Sequence, residues 1–173
     1  SAASDVYKRQ ELKTLTSIDR NLSNHGNTLT KTSYSLLYIN ELLIKLLPKD
    51  AQQVDLFNLY EKFLEEVNKE SNLELTLRHF ELDLLDMLGY GFDYDSEIDN
   101  QNPIEINSTY SFVSERGFRK SNNSHFFGKD IISLKNRKLE EVPLKYLKEI
   151  TTKAIKSCSV SNTQLTLPTI MPV

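Results

Sequence analysis

The chain has 173 residues, 39% hydrophobic and 26% charged, with eight Tyr, eight Phe, no Trp and a formal net charge of −3. This composition excludes a collagen-like or wholly disordered chain and supplies enough apolar residues for one packed core. No run approaches the ~20 apolar residues of a membrane span, and the single Cys158 excludes an internal disulfide or a multi-cysteine zinc site.

One cysteine fits a reducing cytosolic compartment. Both ends read as foreign to the fold. Residues 1–10, SAASDVYKRQ, read as a translated transposase sequencing adapter. Residues 159–169, SVSNTQLTLPT, match the adapter's reverse complement in another frame except at Asn162 and Gln164. Residues 1–10 and 159–173 are therefore expected to be adapter-derived. Between them, residues 11–19 (ELKTLTSID) alternate and include β-branched side chains, which predicts a short strand. So short a strand needs the rest of a sheet. Residues 21–31 are polar, contain Gly26, and read as loop or frayed helix.

From Ser33 the spacing becomes helical. Leu36, Ile39, Leu43 and Leu46 form a stripe broadened by Tyr38 and Leu42, and Pro48 ends it. A second helix is predicted over 54–68, with Phe57, Tyr60, Leu64 and Val67 on one face. A third opens near Ser71, where Ser71-x-x-Glu74 has capping-box spacing. Its stripe is Leu77, Phe80, Leu84 and Met87/Leu88, and Gly89 suits the position just past its end. Three broad apolar stripes on short connections must pack together. Residues 90–107 are acidic and irregular. TYSFV (109–113) and GFRK (117–120), joined by Ser114-Glu115-Arg116, predict a β-hairpin, and Phe126–Phe127 another extended piece. Helical segments follow at 129–136 and after Pro143, where Leu144, Leu147, Ile150/Thr151 and Ala154 keep helical spacing. The expected fold is a mainly α helical bundle with a small, zinc-less β-hairpin insertion.

Charge is segregated. Residues 50–105 hold 15 acids against Lys62, Lys69 and Arg78; residues 116–156 hold 11 bases against Asp130, Glu140, Glu141 and Glu149. Two readings stay open: the basic end meets phosphates, or the two halves neutralise each other. No Walker A, GxGxxG, HExxH or nucleophile motif appears. His25, His79 and His125 lack paired-ligand spacing, and His79 reads as a packing or surface residue. The run Asp93-x-Asp95-x-Glu97-x-Asp99 suggests a calcium loop, but its sixth and twelfth positions are Ile98 and Ile104, not Gly and Glu. It reads instead as a solvated acidic loop or a weak cation site. Metal-dependent nuclease chemistry would need further ligands that the sequence does not show.

The helical part carries an ordered set of motifs: Tyr38-Ile-Asn40-Glu41-Leu42-Leu43, Leu56-Phe57-x-x-Tyr60, and Leu77-Arg78-x-Phe80-Glu81-x-x-Leu84-Leu85-x-x-Leu88-Gly89-Tyr90. Together with Gly117-Phe118 and Phe127-x-Lys129, this set resembles the bacterial recombination mediator family RecO in its proteobacterial form. The resemblance covers most of residues 11–157. It implies an N-terminal OB-fold, of which 11–20 would be the remnant last strand, and a helical domain over 21–158 with an insertion at about 90–128. The insertion lacks CxxC pairs, so no metal or cofactor is expected.

The resemblance also implies a non-enzymatic protein of the bacterial cytoplasm, associated with the nucleoid. Its implied partners are single- and double-stranded DNA, the C-terminal tail of single-stranded DNA-binding protein (SSB), RecR and, indirectly, RecA. Its implied work is strand annealing and RecA loading. An acidic tail ending in an apolar residue needs a greasy slot beside a fixed cation. Arg78, with Leu59 and Phe63, is the candidate; alternatively Arg78 neutralises Glu74 or Glu81 on its own helix. Lys135, Arg137, Lys138, Lys145, Lys148, Lys153 and Lys156 are candidate phosphate contacts, with Tyr146 adding stacking; alternatively they form a solvated face. A helical protein–protein adaptor that never touches DNA is the competing function.

Overall fold

The apolar spacing that ends at Leu46 produces α1, Gly26–Leu46, in a computed structural model that describes residues 26–47, 54–67, 69 and 72–165. The strand expected at 11–19 lies outside these residues. Helix α1 begins seven residues before the periodicity, within the polar stretch read as loop or frayed helix. Once packed turns nucleate a helix, each added residue propagates it at little cost. Helix α2 is Val54–Val67 and α3 is Leu73–Met87.

The N-cap of α3 is Asn72, not Ser71. Its side chain accepts the Leu75 N–H at 3.4 Å, and Asn caps as well as Ser. At the other end Gly89 takes the expected left-handed conformation (φ +80°). Tyr90 N–H then reaches the Leu85 carbonyl at 2.8 Å, closing the turn in a Schellman motif.

Strands β1 (Thr109–Val113), β2 (Gly117–Lys120) and β3 (Phe126–Phe127) form an antiparallel sheet of order β2-β1-β3. The register pairs Tyr110 with Lys120 and Phe112 with Phe118. The expected hairpin is thus found with its expected limits. Glu115 in the loop and Gly117 after it both have positive φ; a left-handed residue is characteristic of three-residue connections. The acidic segment is more ordered than a solvated loop. Glu97 is buried and forms a bridge to Phe118, and Ile98 N–H donates to the Phe118 carbonyl at 2.9 Å. The segment thereby covers the free edge of β2.

Helix α4 (Gly128–Lys135) follows β3 directly. Gly128 is obligatory there, because a Cβ would lie 1.9 Å from the Glu105 carbonyl oxygen. A 3-10 turn, Leu139–Glu141, leads to α5, Leu144–Leu165. Pro143 sits just before α5, its carbonyl accepting the Leu147 N–H, and the helix continues past Cys158.

The core is continuous. In the bundle, Phe63 of α2 meets Phe80 of α3 with ring centroids 5.0 Å apart, and Ile39, Leu42, Leu84, Leu85, Leu147, Ile150 and Ala154 are buried beside them. Under the sheet, Phe92, Phe112, Phe118 and Phe126 make tilted and edge contacts at 4.9–6.5 Å. Each such side chain contributes about 1.5–3 kcal/mol on burial, so the aromatic cluster fixes the insertion against the helices. Among the described residues no helix is long and apolar enough to cross a membrane.

Candidate nucleic-acid interface

Helix α5 buries Leu147, Ile150, Thr151, Ala154 and Cys158. At 100° per residue the opposite face must then carry Lys145 and Lys156, with Lys148 and Lys153 at its two borders. All four lysines are exposed. Lys145 Nζ lies 4.9 Å over the Tyr146 ring, a geometry worth ~0.5–1 kcal/mol at an exposed site. Lys145, Lys148 and Lys156 make no ion pair among the described residues. Lys153 pairs with Glu149 at 2.7 Å.

Glu149 is the acid that α5 itself carries, and Glu115 of the hairpin loop accepts from the Ser157 hydroxyl at 2.6 Å. His125 Nε2 lies 2.8 Å from the other oxygen of Glu149, and the His125 ring stacks 5.0 Å from Tyr146. Burial pushes the Glu149 carboxyl up, but the hydrogen bonds and charges of Lys153 and His125 outweigh it and hold the group below the usual range. His125 joins this surface through Glu149 and Tyr146, and the exposed Phe127 of the same strand segment lies beneath Lys129 (5.7 Å). In the sequence, only the Phe127-x-Lys129 spacing marks them.

The other candidate cations are differently placed. Lys135 pairs with Asp95, and Lys138 with Glu141 at 3.6 Å. Arg137 is half-buried in a left-handed conformation (φ +56°) and holds Asp83 at 3.2 Å, Asp86, and the Tyr94 hydroxyl. Burial pushes Asp86 up against the pull of Arg137, and pushes Tyr94 up to about 12. Arg137 thus clasps α3 to the link between α4 and α5. The basic block neutralises the acidic block along this side and leaves α5 open.

Arg78 faces inward. Its Nη1 lies 2.7 Å from Glu81 Oε2 and donates to Thr151 Oγ1 at 2.8 Å. The Tyr38 hydroxyl donates to Glu81 Oε1 at 2.6 Å. The network Tyr38–Glu81–Arg78–Thr151 joins α1, α3 and α5, with Glu81 0% and Arg78 8% exposed. Arg78 Nε finds no acceptor among the described residues. Leu59 and Phe63 line a separate dimple between α2 and α3, with Lys62, Glu66, Thr76, His79, Phe80 and Asp83. The structure does not bring Arg78 to them. The dimple holds about 10 Å³, less than an apolar side chain needs. A roomier recess of about 160 Å³ lies between α1 and α5, lined by Tyr38, Glu41, Leu42, Lys45, Ile155 and Ser159. Through Tyr38 it is one hydrogen bond from Glu81.

The carboxylates at 93–99 do not converge. The Asp93 side chain accepts from the Asp95 N–H and from Ser96, Asp95 pairs with Lys135, and Asp99 pairs with Arg119. Glu97 accepts from the Asn102 side chain at 3.1 Å. Among the described residues no group of three or more His, Cys, Asp or Glu is placed to hold a metal ion.

The family model described as "Recombination protein O C terminal" matches residues 28–165. DNA repair protein RecO of Haemophilus influenzae (strain 86-028NP) is 38% identical over 103 residues, 58% of this chain and 44% of the relative. The protein of that name from Actinobacillus succinogenes is 32% identical over 127 residues, 71% of this chain and 54% of the relative. That from Coxiella burnetii (strain CbuG_Q212) is 34% identical over 122 residues, 66% of this chain and 52% of the relative. The chain spans about half the length of the curated relatives it matches.

Proposed function

The chain belongs to the recombination protein O family, whose C-terminal domain it carries, and we propose that it serves DNA repair and recombination by binding, without making or breaking bonds. Its ligand at α5 is the phosphate backbone of single- or double-stranded DNA. The carrying observation is the exposed face of Lys145, Lys148 and Lys156, without ion pairs among the described residues, with Tyr146 and Phe127 at hand for base stacking. Lys153 joins it by exchanging Glu149 for phosphate. Lys135 and Lys138 sit further off and are paired, and Arg137 is held too firmly to serve first.

In this reading the domain supports strand annealing and, with RecR, the loading of RecA. The test is fluorescence anisotropy with a labelled oligonucleotide. Lys145→Glu, Lys148→Glu and Lys156→Glu together abolish binding at low salt; unchanged binding refutes the assignment and favours the DNA-independent adaptor.

A second reading concerns the acidic SSB tail, and room decides where it docks. The α1–α5 recess admits an apolar end group, and Lys45 at its rim exchanges Glu41, its partner at 2.6 Å, for the tail carboxylate. Leu59 and Phe63 serve only if their dimple opens, and Arg78 acts from behind the Tyr38 wall. Loss of tail-peptide affinity in Lys45→Ala, with affinity kept in Leu59→Ala, supports the recess; the opposite pattern returns the tail to the dimple.

A further inference from the structure

Three exposed cations outside the α5 face are each occupied by a carboxylate of one short segment. Arg119 pairs with Asp99 at 2.9 Å, Lys120 with Glu105 at 2.7 Å, and Lys135 with Asp95. The cationic side chains are 42–47% exposed and the acidic ones 49–70%. Such pairs are weak, about 0–1 kcal/mol, and a phosphate can compete for each cation. The segment itself is not free to leave. Ile98 N–H bonds to Phe118, Ile104 N–H donates to the Asp95 carbonyl at 2.9 Å, and the buried Glu97 is held by Asn102. Its carboxylates are therefore held within reach of these cations, and a phosphate must displace them to bind there.

We propose that the acidic segment 95–105 is a built-in competitor for phosphate, which withholds Arg119, Lys120 and Lys135 from nucleic acid and confines the bound strand to α5. The proposal rests on the α5 reading for its reference site but has its own readout. It explains why an acidic block and a basic block of opposite charge share one small domain: the acids set the limit of the footprint rather than repelling DNA from the whole molecule. Arg137 does not belong to this set, because two carboxylates and Tyr94 hold it half-buried.

The experiment measures oligonucleotide affinity and its salt dependence for the full chain. Asp95→Asn, Asp99→Asn and Glu105→Gln together should tighten binding several-fold. They should also steepen the slope of log K against log salt by about 0.9 for each cation released onto duplex phosphate. The control, Asp55→Asn, Glu61→Gln and Glu74→Gln, changes net charge equally at exposed acids that make no ion pair among the described residues, and should leave the slope unchanged. In an Arg119→Gln background the gain from Asp99→Asn should vanish. No gain, an equal gain from the control, or a gain that survives Arg119→Gln overturns the proposal. Unchanged binding by the Lys145, Lys148 and Lys156 variant would instead strike the α5 reading, and the comparison of acidic variants would still decide the competitor.

Discussion

Replacing Arg78 with Met isolates the energetics of the network that joins three helices. Glu81 is 0% exposed and keeps only the Tyr38 hydroxyl once the guanidinium is gone. Thr151, also 0% exposed, loses the donor that satisfied its hydroxyl oxygen. An uncompensated buried charge costs about 3–5 kcal/mol. With ~2–4 °C per kcal/mol for a chain of this size, Tm should fall by roughly 6–20 °C, read by circular dichroism.

The double variant Arg78→Met, Glu81→Leu should recover most of that loss. A buried ion pair and an apolar pair of similar volume are often close in stability, and here Arg78 Nε already lacks an acceptor among the described residues. The double-mutant cycle therefore yields a large coupling energy. A single variant within about 1 kcal/mol of wild type, or a double variant no better than Arg78→Met, would refute a buried, mutually dependent pair.

Gly128→Ala should destabilise by ~1–3 kcal/mol in urea unfolding, as overpacking against the Glu105 carbonyl forces backbone to move. Phe118→Ala, at a side chain 0% exposed among four aromatic neighbours, should cost about 3–5 kcal/mol in the same assay. Stability should also fall in alkali. Burial, then the Glu81 charge and hydrogen bond, raise Tyr38 against the opposing charge of Arg78, and burial pushes Tyr94 up to about 12. Both folded values exceed the ordinary tyrosine value of about 10. The stability they carry is thus complete below about pH 10 and lost as pH rises towards the folded values. The urea midpoint should hold to about pH 9 and then drop, less steeply in Tyr94→Phe.

Local signals were the legible ones. The hairpin stood in the sequence because TYSFV and GFRK alternate around a three-residue turn, and the end of α3 because only glycine takes φ +80° at no cost. The first turns of α1 were not legible, since polar residues around Gly26 show no apolar period. Arg78 shows why side chains are harder. Its i,i+3 spacing to Glu81 was visible, but Thr151 lies 73 residues away and Tyr38 lies 43 from Glu81. Such long-range partners leave no local trace. The charge blocks were visible as totals; which acid meets which base, as in Asp99–Arg119 or Asp83–Arg137, depends on the tertiary fold.

Lysine protection tests the α5 interface most directly. The full chain is acetylated with and without a saturating oligonucleotide, and modified lysines are quantified by mass spectrometry. The account predicts protection of Lys145, Lys148 and Lys156, and none at Lys120 and Lys135, which the acidic segment withholds, or at Lys62 on the acidic side. Uniform labelling with and without DNA, or protection centred on α2, would contradict it.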